Sequence, residues 1–200
     1  MAAPLPNHPQ LRGNYGPINF EASYDDLVID GSVPEGISGS LYRIGPNPKF
    51  VEGTYHWFFG AGMVHAFHID NGRVDYRNRW VRTPKLEQEI ALGHGLNLDI
   101  NINKDTGQLE SNRRNGVANT HILTHGDHLI ALEEGSHPFS MDPQSLTSKG
   151  YGHYGDGING ATLDYLTLPA YIHINLKTLL SLKQLIQRLS FLVSWLHQVL

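Results

Sequence analysis

The sequence predicts an all-β body followed by a helical tail, and three observations carry that reading. Glycine and proline are frequent, 21 and 11 in 200 residues, which suits a chain that turns often rather than a helical bundle. The dipeptides Asn71-Gly72 and Gly126-Asp127 each separate two runs of strand-forming residues, the pattern of tight β-hairpins. From about Leu176 to Leu200 the apolar residues change to helical spacing.

The first hairpin is expected at residues 63–83. "MVHAFHID" and "RVDYRNRWVRT" flank Asn71-Gly72, and a type I′ turn needs positive φ at both central positions, which Asn and Gly tolerate best. The second is expected at 121–134, with "HILTH" and "HLIALEE" on either side of Gly126-Asp127. A third pair lies in "PFSMDPQSLTSKGYG", turning at Asp142-Pro143. Between the first two hairpins, "LGHGLNLDININKDTGQLESNRRNG" at 92–116 is polar and turn-rich, and is expected to be a long surface loop. Short antiparallel strands at this spacing fit a sandwich, a barrel or propeller blades. Spacing does not choose among them.

The chain changes character near residue 165, which divides a body at 1–165 from a tail at 166–200. From Tyr165 to Leu200 there is no Asp or Glu, while Lys177, Lys183 and Arg188 remain. Leu179, Leu182, Ile186, Leu189, Val193, Leu196 and Leu200 recur at alternating spacings of 3 and 4, and Leu185, Leu192 and Val199 widen the stripe. That is helix periodicity close to a heptad. The expectation is an amphipathic helix burying Leu182, Ile186, Leu189, Val193 and Leu196 against the core. Self-association through the tail and contact with a membrane surface are the alternatives.

Composition excludes several classes. A formal net charge of -4, with no basic patch interleaved with aromatics, argues against nucleic acid as a partner. With no cysteine there is no disulfide, thiolate metal site or cysteine nucleophile. "MAAPLPNHPQLRGNYGPINF" lacks the basic start and apolar run of a signal peptide. No uncharged apolar run reaches the roughly 18–20 residues of a membrane span. A cytoplasmic location without a membrane span is therefore expected.

The histidines test for metal chemistry. His65 and His68, in "YHWFFGAGMVHAFHIDNGR", are three apart on a strand and so point to opposite faces. Structural roles are expected for both. His121 and His125 would share a face of an unbroken strand, but Gly126-Asp127 turns the chain before His128. With no acidic ligand nearby, surface or turn positions are expected.

Two linked motifs then make the chain resemble a known family. "GSLYRIGPNPKF" contributes Arg43, Gly45, Pro46, Asn47 and Pro48; "YHWFFGAGMVHAF" contributes His56, Trp57, Phe58, Gly60, Gly62, Met63 and His65. "YRNRWVRTPKLEQE", "GVANTHILTHGDHLIALEEG" and "PFSMDPQSLTSKG" continue the match in order. Over roughly residues 15–160 the chain resembles the carotenoid cleavage oxygenases, which include the lignostilbene dioxygenases. The resemblance implies the N-terminal portion of a seven-bladed β-propeller, incomplete in these residues. In it the stretch from Tyr55 to Arg73 is a structural corner feeding a strand, with Trp57 and Phe58 filling the core beneath the turn. Phe59 and Ala61 stand where the family has aspartates, so the corner is expected to be weakened.

The same resemblance implies chemistry. Family members hold Fe(2+) on the propeller axis through four histidines and split a C=C bond of a carotenoid, apocarotenoid or stilbene with dioxygen. The expected partners are thus an apolar conjugated small molecule and dioxygen. Glu134 matches a carboxylate that hydrogen-bonds an iron-ligating imidazole. The first ligand histidine falls in a segment matching "LPAYIHINLKT", where Tyr171 occupies the ligand position, and only His173 offers an imidazole. The later ligands are expected beyond Leu200. The chain is therefore expected to be a truncated oxygenase, inactive alone, with a non-catalytic remnant or interaction module as the alternative.

Overall fold

The computed structural model describes residues 5–51, 55–96, 100–102, 109–111, 116–133 and 136–152, with the backbone alone at 57, 100–102 and 109–111. Two four-stranded antiparallel sheets dominate it. The first holds β1 (Ala22–Tyr24), β2 (Gly39–Pro46), β3 (Gly62–Asp70) and β4 (Arg73–Trp80), in the order β1-β4-β3-β2. A helix, α1 (Pro84–Leu92), and a two-stranded ribbon, β5 (Ile100–Ile102) with β6 (Leu109–Ser111), follow. The second large sheet holds β7 (His121–His125), β8 (His128–Leu132), β9 (Phe139–Met141) and β10 (Ser148–Tyr151), in the order β10-β9-β8-β7.

The predicted turns form where the local chemistry places them. Asp70 faces Arg73 across β3 and β4, and both turn residues have positive φ, 48° at Asn71 and 79° at Gly72, as a type I′ turn requires. His125 faces His128 across the second hairpin, where Gly126 alone of the two turn residues has positive φ, at 57°. That is the φ pattern of a type II′ turn. The third pair, β9 and β10, is joined through an Asx-type turn. There the Asp142 carboxylate accepts from Gln144 N at 3.0 Å and from Ser145 N at 2.9 Å.

Strand register sorts the apolar residues into separate cores. Val64 and Ala66 of β3 pack with Leu129, Ala131, Phe139, Met141 and Leu146, so this core lies between the two sheets. The other face of β3 and β4 presents Phe67, Ile69, Val74 and Tyr76, which Leu27, Ile29, Val33 and Ile37 cover. A strand buried on both sides reads as a nearly continuous apolar run, which is why "GMVHAF" alternates so weakly. Leu129, Phe139 and Met141 are at most 2% exposed, each worth about 1.5–3 kcal/mol of transfer free energy. The edge strands β2 and β7 lie against one another.

Two buried asparagines staple the N-terminal segment to this scaffold. Asn47 accepts from Ile18 N at 2.7 Å and donates to Ile18 O at 2.8 Å, and its own carbonyl accepts from the Trp80 indole at 2.9 Å. Asn78 accepts from Ala22 N at 2.6 Å and donates to Phe20 O at 3.0 Å.

The structure departs from expectation at three places. Helix α1 interrupts the predicted all-β body. Thr83 caps it, accepting from Leu86 N, Pro84 opens it, and Gly93 closes it at φ 74°, the usual stop and start chemistry. Residues 92–116 are not simply a loop, because β5 and β6 pair within them. Phe58, expected in the core, is 64% exposed: the short 3-10 turn at Trp57–Phe59 carries its ring outward. No described helix is long and apolar enough to cross a membrane. The expected tail helix, and with it the 166–200 unit, lies outside the described residues.

Candidate functional site

The corner that joins the two sheets is where the sequence motifs converge. Gly62 N donates to Val117 O at 2.8 Å. A Cβ on Gly62 would sit 2.1 Å from Ala118 O, so the close approach of the two backbones requires glycine. Ala118 itself has φ 46°, a left-handed conformation that costs a non-glycine residue roughly 1–3 kcal/mol. The Glu133 carboxylate, at the end of β8, supports it by accepting from the backbone N–H of Val117 and, at 2.6 Å, of Ala118. Two consecutive N–H groups closing on one carboxylate make an anion-holding nest.

Asn119 completes the joint. Its side-chain amide donates to Phe58 O at 2.9 Å and Gly60 O at 2.7 Å, while Asn47 N donates to Ala61 O at 2.7 Å. The corner's carbonyls at Phe58, Gly60 and Ala61 are thus satisfied by amide donors. Tyr151 lies close by: burial first, then the negative charge of Glu133, push its phenol up to about 12, against a backbone hydrogen bond with Gly116. Sequence reasoning missed both Glu133 and Asn119. The signal for Asn119 was a buried-type amide inside "GVANTH"; Glu133 was overshadowed by its neighbour Glu134.

The histidines have structural partners. His65 Nδ1 lies 2.8 Å from the Tyr76 hydroxyl, whose pKa burial pushes far up, so the phenol stays neutral. His68 Nδ1 lies 2.7 Å from Ser40 Oγ, on the opposite face, towards the Gln144 turn of the second sheet. Burial and the Arg77 guanidinium lower the His68 pKa. His121, His125 and His128 are exposed, with His128 Nδ1 2.9 Å from Ser140 Oγ.

Among the described residues no three His, Asp or Glu side chains come together in a way that could hold a metal ion. These residues therefore do not fit an iron centre by themselves. Glu134, Tyr171 and His173, the residues singled out for the iron site, lie outside the described residues.

Comparison with known proteins places this geometry in context. The family model for RPE65, retinal pigment epithelial membrane protein, matches residues 15–178. Isoeugenol monooxygenase of Pseudomonas putida is 38% identical over 150 residues, covering 74% of this chain and 31% of that protein. Carotenoid 9,10(9',10')-cleavage dioxygenase 1 of Arabidopsis thaliana is 38% identical over 155 residues, covering 68% and 28%. The crystal structure of Pseudomonas brassicacearum lignostilbene dioxygenase superposes with a TM-score of 0.67 at 34% identity, covering 75% of this chain and 32% of that one. The chain thus spans 31% of the length of the first of these relatives.

Proposed function

This chain belongs to the family of retinal pigment epithelial membrane protein and the carotenoid cleavage oxygenases, and we propose that it is the opening part of an oxygenase that cleaves a conjugated C=C bond. The two packed sheets correspond in this reading to the first blades of a seven-bladed propeller. The relatives named for isoeugenol, carotenoid and lignostilbene share an apolar substrate with a double bond in conjugation. A carotenoid, an apocarotenoid or a stilbene-like phenylpropene is therefore the substrate class, with dioxygen as co-substrate.

These 200 residues do not assemble the reactive centre by themselves in this reading. The observation that carries it is the donor set. The described residues bring no three potential ligands together, and by resemblance Tyr171 stands where the first imidazole belongs, leaving His173 alone. Iron, when bound, supplies dioxygen activation, and ferrous iron needs several neutral imidazoles to be held. What this chain contributes is position. The Glu133 nest and the Asn119 amide fix the joint between the sheets, one residue before Glu134, the carboxylate assigned to orient a ligand imidazole.

The test is product chromatography. The chain is loaded anaerobically with Fe(II), then exposed to air with isoeugenol, resveratrol and β-carotene in turn. No aldehyde product is expected from any of them. Aldehyde formation at catalytic turnover, abolished by a chelator, would overturn the incomplete-centre reading while leaving the family assignment intact.

A further inference from the structure

The face of β3 that carries Val64 and Ala66 into the core turns polar further along the strand. Cross-strand register sets Ser40 of β2 opposite His68, and His68 opposite Asp75 of β4. Alternation places Asp70 and Arg73 on the same face. Together with Gln144, from the turn between β9 and β10, these residues line an open groove of about 380 Å³, a size that admits a small organic molecule.

The charged groups of the groove are already engaged. Asp75 Oδ1 accepts from Asp26 N at 2.7 Å, Asp70 Oδ1 accepts from Ser38 Oγ at 3.2 Å, and Arg73 Nε lies 3.4 Å from Asp26. One pair is left poised for chemistry. Ser40 Oγ is 2.7 Å from His68 Nδ1, within the reach at which an imidazole takes a hydroxyl proton. Ser40 is exposed, and a Cβ on the neighbouring Gly39 would meet nothing within 4 Å. A carbonyl carbon can therefore approach the hydroxyl.

The far side of the imidazole is held as well. His68 Nε2 is enclosed and has no partner at full hydrogen-bond geometry, but it faces the Gln144 backbone carbonyl. A ring nitrogen so placed keeps its proton, which leaves the lone pair on Nδ1, beside Ser40. Burial and the Arg77 guanidinium favour the neutral ring, the form a base requires. Serine, imidazole and carbonyl stand in the order of nucleophile, base and orienting group.

We propose that Ser40 is a nucleophile, with His68 as its general base, which takes an acyl group from a small uncharged activated ester. Ser40 Oγ attacks the ester carbonyl carbon while its proton passes to His68 Nδ1. As the tetrahedral adduct collapses, the bond to the leaving oxygen breaks and His68 returns the proton to that oxygen. An alcohol or phenol departs, and Ser40 carries the acyl group as an ester. This modification is independent of the oxygenase reading.

Treatment of the full chain with p-nitrophenyl acetate tests this, read by peptide mass spectrometry. Ser40 should be acetylated about 100-fold faster than the exposed Ser32. Ser40→Ala should remove the adduct, and His68→Gln should slow it about 100-fold with unchanged circular dichroism. The pH profile of Ser40 acetylation in the unsubstituted chain is a second readout that needs no substitution. Its rate should be level above about pH 6.5 and fall below the lowered pKa of His68, whereas a hydroxyl without a base gains about tenfold per pH unit throughout. Four outcomes overturn the proposal: acetylation of Ser40 no faster than of Ser32, no effect of His68→Gln, acetyl on His68 in place of Ser40, or a rate that climbs with pH without levelling.

Discussion

Replacing Gly62 by alanine strikes the joint between the two sheets at its tightest point. The new methyl would lie 2.1 Å from Ala118 O, 2.8 Å from Ala118 C and 3.0 Å from Val117 O, all backbone atoms with no rotamer to escape into. Ordinary contact distance demands that the 117–118 segment retreat by about 1 Å. That retreat stretches the Gly62–Val117 hydrogen bond of 2.8 Å and draws the Val117 and Ala118 amides away from Glu133. Three bonds at about 1 kcal/mol each give a loss of about 3 kcal/mol. In a chain of this size that lowers the melting temperature by about 6–12 °C. Urea unfolding monitored by tryptophan fluorescence measures it, with an unchanged slope expected. Gly45→Ala is the control, since a Cβ there meets nothing within 4 Å, and its effect should stay within about 0.5 kcal/mol. If Gly62→Ala were as mild as Gly45→Ala, the backbone contact would not hold the sheets together as described.

Three further outcomes are expected. The folded state favours neutral His68, so its pKa lies below the 6.5 of the unfolded chain; its contribution to stability is intact above about pH 6.5 and declines as pH falls from there towards the folded value, a slope that His68→Gln removes from a pH series of urea midpoints. Asp142, whose carboxyl is held down to about 2, first by the Ser145 backbone and hydroxyl, supports the β9–β10 turn above its unfolded value of 3.8 and loses that effect as pH falls towards 2. Asp142→Ala should cost about 1 kcal/mol at pH 7 by urea unfolding and flatten this acid limb. Thr83→Ala, which deletes the α1 cap on Leu86 N, should cost about 1 kcal/mol and be largely rescued by Thr83→Ser in the same assay.

What the sequence disclosed and what it hid divide by distance along the chain. Asn71-Gly72 and Gly126-Asp127 state their turns within two residues, so both hairpins were legible in register as well as position. Helix α1 was legible too, in Thr83, Pro84 and Gly93, but a strand-rich context drew attention away from its caps. The joint was not legible, because its partners are separated by 61 residues between Asn119 and Phe58 and by 16 between Glu133 and Val117. Pattern alone could not show that a backbone carbonyl would arrive where Gly62 leaves room. Phe58 was misplaced for a related reason: an aromatic in a motif is ordinarily core, and only the path of the Trp57–Phe59 turn decides which way its ring faces. The family's iron chemistry was read from motifs, while the residues expected to serve it, Glu134 and His173, lie outside the described residues.

The central claim is that these residues form the opening blades of an oxygenase without a complete iron centre, and ferrous iron stoichiometry tests it most directly. The chain is reconstituted with Fe(II) under anaerobic conditions, desalted, and its iron content compared with that of His173→Ala. The account predicts well under one iron per chain and no difference between the two proteins, since one imidazole leaves most of the coordination to water. One iron per chain, retained through desalting and lost in His173→Ala, would contradict it.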